Sequence, residues 1–332
     1  MDERAGLIED FLAAAGWGGG ARAKLAGDAS FRRYERVTVD GRSAVLMDAP
    51  PPMEDVRPFA RIDRHLRRLG YSAPEILCED AVAGLLLLED LGDRTYTEVL
   101  AAGGDEAALY ALAVDLLIDL HRRPVAEAVA GGIEPYDDDK LMAEAALLTE
   151  WYLPAVLGAE AAEALGETYR RCWRSLFPLV RSVPDSLVLR DYHVDNLLLV
   201  AGRDGIAGCG LLDFQDAVAG PVSYDLMSLL EDARRDVPLP LATAMRGRYL
   251  AAFPELDRAA FDTSFTVLGA QRHCKVIGIF TRLGARDGKP AYLEHIPRVW
   301  RLLERALTHP VLAPLRAWFD TSVPEHCRRI PV

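Results

Sequence analysis

Two apolar runs, Leu187-Val188-Leu189 and Leu197-Leu198-Leu199-Val200, bracket the polar stretch Arg190-Asp191-Tyr192-His193-Val194-Asp195-Asn196, and no other segment restricts the architecture as tightly. Apolar strands on both sides fix the ends of the loop, and an ordinary turn has no need of two carboxylates, an imidazole and an amide held in place. Seventeen residues after Asn196, the run Gly208–Leu212 ends in Asp213-Phe214-Gln215-Asp216. The turn Gly202-Arg203-Asp204-Gly205 lies between the two runs, so they read as a hairpin that can bring Asp213 beside Asn196. The chain must therefore carry a small β island that presents polar side chains.

The surroundings of the island are helical. Residues 94–122, 138–153, 158–180 and most of 222–320 are rich in Ala, Leu and Arg at helical spacing. The N-terminal part reads differently. A helix over 2–15, with Leu7, Ile8, Phe11 and Leu12 on one face, stops at the glycines between Gly16 and Gly20. Strands over 33–39 and 43–48 flank Asp40-Gly41, a hairpin signal, and Pro50-Pro51-Pro52 separates them from a helix near 55–69. Two further strands are expected over 74–79 and 84–88. This order predicts an α+β protein with an N-terminal lobe of residues 1–90, a helical lobe of 91–332, and a cleft between them.

Composition narrows the class of partner. Half of the 332 residues are apolar and 27% are charged, which suits a globular chain rather than a disordered one. The 38 basic against 50 acidic residues leave a net charge of −12, which argues against nucleic acid and against an anionic membrane surface, so a small molecule is the expected partner. Five cysteines scattered singly suggest a reducing compartment rather than a disulfide framework or a zinc site. The N-terminus has no signal-like pattern and no apolar run approaches a membrane span, so a cytoplasmic monomer is expected.

Asn196 and Asp213 offer hard oxygen donors of the kind that hold Mg2+ together with substrate phosphates. Asp191, five residues before Asn196, faces the same space in this reading. Phosphoryl transfer needs these parts: a loop Asp to take the acceptor hydroxyl's proton, and a loop Asn and a second Asp for metal. The spacing of Arg190-Asp191 to Asn196, followed by Asp213-Phe214, resembles the catalytic and metal loops of protein-kinase-like enzymes. Asp191-x-His193-x-x-Asn196 is similar to the loop of aminoglycoside and choline phosphotransferases. Closer still, Ala26-Gly27-Asp28-Ala29-Ser30-Phe31-Arg32-Arg33-Tyr34, Leu46-Met47-Asp48-Ala49-Pro50-Pro51, Leu88-Glu89-Asp90-Leu91-Gly92 and Asp213-Phe214-Gln215-Asp216-Ala217 together resemble the anomeric N-acetylmuramate/N-acetylglucosamine kinase family of cell-wall recycling.

That resemblance implies a protein-kinase-like fold, ATP and Mg2+ as cofactors, and an amino sugar phosphorylated at its C1 hydroxyl. Residue by residue, Gly27, Ser30 and Phe31 would cover the nucleotide phosphates, and the backbone of Glu89 and Leu91 would meet adenine. Asp191 would be the base, Asn196 and Asp213 the metal ligands, and Asp225 a brace for the catalytic loop. The third strand, Ala44-Val45-Leu46-Met47-Asp48, lacks the lysine that pairs the phosphates elsewhere in the superfamily, so Arg32, Arg33 or additional Mg2+ must meet that charge. For the acceptor, Arg272, Lys275, Arg282 and Arg286 fall within about 80° of arc if 268–286 is helical. That stripe is either an anion pocket or a set of cations snorkelling around the core, and Gly278 and Gly284 weaken the helix that carries it. Glu231 and Gln271 are further candidates for sugar hydroxyls.

Other readings of the same residues stay open. His193 is either a base or metal ligand, or a brace beneath the loop. Asp195 is expected in solvent or as a cap, and Arg234-Arg235 on a solvated face. An aminoglycoside or choline acceptor, a pseudokinase lacking transfer, and a metal hydrolase are alternative functions.

Overall fold

The computed structural model describes residues 3–25, 32–129 and 132–331. The strands are β1 (Ala21–Lys24), β2 (Arg33–Val39), β3 (Arg42–Asp48), β4 (Ile76–Asp80), β5 (Leu85–Glu89), β6 (Asp185–Val188), β7 (Leu197–Leu199), β8 (Cys209–Leu211) and β9 (Val218–Pro221). The helices are α1 (Glu3–Ala14), α2 (Arg57–Arg68), α3 (Tyr96–Ala101), α4 (Glu106–Arg122), α5 (Val125–Ala128), α6 (Asp138–Leu147), α7 (Leu153–Leu157), α8 (Ala159–Val180), α9 (Ser223–Leu230), α10 (Leu239–Ala252), α11 (Arg258–Ala285), α12 (Ile296–Leu307) and α13 (Ala313–Ser322). By compactness the chain divides into two units, 1–116 with 194–217, and 117–193 with 218–332. Among the described residues no helix is long and apolar enough to cross a membrane.

The first unit is built on an antiparallel sheet in the order β1-β2-β3-β5-β4. Its tightest turn is the one expected: Asp40 and Gly41 take φ of 48° and 76°, and Val39 pairs with Arg42 across them. Side chains alternate across a sheet, so Val37, Ala44, Leu46, Leu85 and Leu87 face one way and bury Ile8, Phe11 and Leu12 of α1 together with Trp17. The intervening Val45 and Leu88, opposite each other in register, turn to the other face. Both faces of β5 are covered, which explains its unbroken Leu85–Leu88 run. β1 carries no apolar signal because, as an edge strand, it is mostly exposed.

The expected β island is two separate ladders. β7 pairs with β8 in the first unit, whereas β6 pairs with the unforeseen β9 in the second. The second unit is organised around α11, a helix of 28 residues or roughly 42 Å. Gly278 does not break it. A Cβ there would lie 2.3 Å from the Leu147 carbonyl carbon, so glycine is what lets the helix pass against the π-helical turn Leu148–Tyr152 that follows α6.

Candidate functional site

Within the first unit, a cavity of about 410 Å³ opens on the Val45 and Leu88 face of the sheet. Its lining includes Tyr34, Phe59, Glu89, Leu91, Asn196 and Asp213. The β7–β8 hairpin sets the last two. Leu197 is opposite Leu211, and the next backbone bond, Leu212 N–H to the Asn196 carbonyl at 3.0 Å, aligns Asn196 with the start of the Asp213 loop. Phe214 stacks on Phe59 of α2 with ring centroids 4.8 Å apart, which anchors that loop from below. Asp213 itself has φ of 56°, a left-handed conformation that costs a non-glycine residue about 1–2 kcal/mol. Gln215 Nε2 donates to its Oδ1 at 2.8 Å, and Arg32 Nη1 stands 3.9 Å from the same oxygen.

Arg32 is held by Glu54, Nε to Oε2 3.1 Å, while Arg33 is exposed and points to Asp48. Of the two arginines considered as stand-ins for the missing lysine, only Arg32 reaches the Asp213 carboxylate. Gly27, Ser30 and Phe31, expected over the phosphates, lie outside the described residues. The Glu89 side chain is committed to Arg203, Arg67 and the Glu75 N–H, and its own N–H donates to the Glu75 carbonyl at 2.7 Å. Asp90 shapes the turn that follows: it pairs with Arg36, accepts from Ser43 and caps the Gly92 N–H. Leu91 packs on Leu198 and Val200, and neither of its backbone groups has a partner among the described residues. Asp195, expected in solvent or as a cap, accepts from Thr97 and lines the cavity.

A carboxylate and an amide carbonyl on one cavity wall are a hard-oxygen donor set that fits Mg2+ when nucleotide phosphates supply the remaining ligands. Among the described residues no cluster of three or more His, Cys, Asp or Glu forms a metal cage.

In the second unit the Asp191 loop is held by buried charge. Asp225 of α9 accepts the Leu189 and Arg190 N–H groups at 2.6 and 2.9 Å, the bracing role expected of it. Burial pushes the Asp225 carboxyl up to about 7 against the pull of those two amides. Arg190 has φ of 70° and its guanidinium pairs with Glu144. Glu144 also accepts from Tyr136, from Lys275 Nζ at 2.9 Å and from Gln271 Nε2 at 3.1 Å. Burial raises the pKa of Glu144, but the charges of Lys275 and Arg190 overcome it and bring it down to about 2. For Asp191 the balance has the same sign: burial works upward, and Lys275, Arg272 and Arg190 hold the carboxyl below its ordinary value. Asp191 is therefore ionised near neutrality. His193 is buried and neutral, kept so by desolvation and by Arg234, whose Nη1 is 3.1 Å from its Nε2.

The expected acceptor residues divide. Lys275 and Gln271 are internal partners of Glu144, and Glu231 is held by His273 at 2.7 Å and Arg305 at 3.0 Å. The charges or donors of these three are matched inside the fold, so each already has a structural partner. The cationic stripe likewise splits, with Arg286 exposed and paired to Asp287. Arg234, expected on a solvated face, is instead half-buried against His193. Arg272 keeps a candidate role.

Comparison with known proteins identifies the family and the fold. Residues 22–261 match the phosphotransferase enzyme family (APH). Over 98% of its length the chain is 39% identical to an N-acetylmuramate/N-acetylglucosamine kinase of Caulobacter vibrioides, covering 99% of that protein. A Pseudomonas aeruginosa kinase of the same name is 41% identical over 93% of this chain and 91% of its own. In fold, the chain is similar to the ADP-bound aminoglycoside phosphotransferase APH(2'')-Ib, with a TM-score of 0.58 at 15% identity, covering 94% of this chain and 99% of the other.

Proposed function

Since the chain belongs to the phosphotransferase enzyme family, has its protein-kinase-like α+β fold and is a sugar kinase, we propose that it transfers the γ-phosphoryl group of ATP to the C1 hydroxyl of N-acetylmuramate or N-acetylglucosamine in peptidoglycan recycling. The observation that carries the reading is the ionised Asp191 on a loop locked by Asp225 and Glu144. An anomeric hydroxyl is more acidic than an ordinary alcohol, so a carboxylate with a depressed pKa is base enough. The C1 oxygen attacks the γ-phosphorus, the bond from that phosphorus to the bridging oxygen breaks, ADP leaves with the electron pair, and the hydroxyl proton passes to Asp191.

In this reading residues 1–90 form the nucleotide lobe, and 91–332 carry the catalytic loop and the acceptor site. The backbone at Glu89 and Leu91 receives adenine. Asn196 and Asp213 hold Mg2+, which when bound neutralises phosphate charge, and Arg32 supplies the fixed positive charge that the third strand lacks. Cations around Asp191 disfavour a polycationic acceptor such as an aminoglycoside. A reducing compartment such as the cytoplasm suits the five cysteines, which are free among the described residues, and the chain is proposed to act as a monomer.

Proton-coupled ³¹P NMR of the product from Mg-ATP and N-acetylmuramate tests the proposal. A phosphorus coupled to the anomeric proton is expected, and transfer to an aminoglycoside hydroxyl alone would overturn it.

A further inference from the structure

Arg272 stands on the buried face of α11, 3% exposed, and its Nη1 has no hydrogen-bond partner among the described residues. Asp232, just beyond α9 and 2% exposed, is half-satisfied: Oδ1 accepts the Arg234 N–H at 2.7 Å while Oδ2 has no partner. Leaving either group unmatched away from water costs about 1–3 kcal/mol or more when charged, a cost that a bound ligand would relieve. The two lie in one neighbourhood. His193 experiences the charges of Asp191, Asp232, Arg234 and Arg272 together, and it is joined to Asp232 through Arg234, whose side chain reaches the imidazole and whose N–H reaches the carboxylate. Arg272 also acts on Asp191 and Asp225. The nearby cations have named partners. Lys275 and Arg190 are matched by Glu144, and Arg234 is committed to His193.

We propose that Arg272 and Asp232 form the acceptor-recognition pair, with the Arg272 guanidinium receiving an acidic substituent of the sugar and the Asp232 carboxylate accepting from a hydroxyl or amide common to acidic and neutral sugars. This deepens the amino-sugar reading and rests on it. A guanidinium donor and a carboxylate acceptor, both buried and each with an unmatched atom, match a ligand that offers an anion and neutral donors at once. N-acetylmuramate does so through its lactyl carboxylate and ring substituents; N-acetylglucosamine offers only the neutral donors. A charge-assisted bond to a carboxylate is the stronger of the two contacts, so Arg272 governs discrimination and Asp232 governs common affinity.

Steady-state kinetics with both sugars tests the pair. Arg272→Gln is expected to lower the ratio of kcat/KM for N-acetylmuramate over N-acetylglucosamine by about 10- to 100-fold, the loss of one charged hydrogen bond. Asp232→Asn is expected to lower kcat/KM for both sugars by a similar factor and leave the ratio in place. An Arg272→Gln loss that is equal for both sugars, or confined to kcat, would instead put Arg272 to work on Asp191 or the transferred phosphoryl group and overturn the assignment. Should that variant fail to fold, the wild-type enzyme gives the same answer with the lactyl amide of N-acetylmuramate. This neutral analogue is expected to lose the same 10- to 100-fold, and full activity with it overturns the proposal. Wild-type transfer to neither sugar overturns the substrate reading itself, a result distinct from a wild type active on both but indifferent to Arg272.

Discussion

The two loops that carry the candidate chemistry are both strained, but they are held by different means. Asp213 sits at φ 56° on a cavity wall, steadied by a neutral amide at 2.8 Å and a guanidinium 3.9 Å away. Arg190, at φ 70°, is clamped by two buried carboxylates, Asp225 on its backbone and Glu144 on its guanidinium. The difference suits what each loop would do in the proposed reaction. A carboxylate that exchanges ligands during turnover needs weak partners that can be displaced. One that must stay ionised next to a departing proton needs fixed cations, and those cations need buried counter-charges of their own.

The largest test of this contrast is at the base. Asp191→Asn is expected to lower kcat by about 10²–10⁴-fold while nucleotide affinity, measured by calorimetry, stays within twofold; near-wild-type ADP release would remove Asp191 from the mechanism. Next comes the clamp. Glu144→Gln leaves Arg190 and Lys275 without their counter-charge, and urea unfolding is expected to show a loss of about 3–5 kcal/mol; a loss below 1 kcal/mol would mean that the loop is held otherwise.

The same glutamate predicts a pH dependence. Its pKa falls from the ordinary 4.5 to about 2 on folding, so its contribution is complete above about pH 4.5 and is lost as pH drops toward 2. Wild-type stability should decline across that window more steeply than that of Glu144→Gln. Because Asp191 is also depressed, no acid limb in kcat/KM is expected from it above about pH 5, and a limb near pH 6–7 that disappears in a buffer-matched Asp191→Glu variant would contradict the electrostatics. The smallest effect separates neighbours in sequence: Arg32→Gln should raise the KM for ATP by about tenfold, whereas Arg33→Gln, exposed and remote from Asp213, should change it by less than about twofold.

Local signals in the sequence carried much of the fold. Asp40-Gly41 forced its hairpin, and the two apolar runs around Arg203 were enough to place Asn196 alongside the Asp213 loop. What the sequence hid was long-range matching. The partner of Lys275 is 131 residues away at Glu144, so nothing local separates it from Arg272 one helical turn earlier. Glu231 and Asp232 are adjacent, yet one meets His273 and Arg305 and the other keeps an oxygen unmatched. β9 was missed because Val218-Ala219-Gly220-Pro221 is too short and too poor in β-branched residues to announce a strand that exists only through β6. Gly278 was misread because a glycine that weakens an isolated helix is the one residue that permits this close packing.

Gly278 has a consequence for how this enzyme tolerates change. Its contact with Leu147 fixes how deeply α11 is seated, and Lys275 and Arg272 hang on that same rod three and six positions upstream. A methyl group at 278 would lift the rod and withdraw both cations from Asp191. In a random library this site should therefore score among the inactivating positions despite making no contact with ligand, a silent keystone whose failure mimics a catalytic lesion.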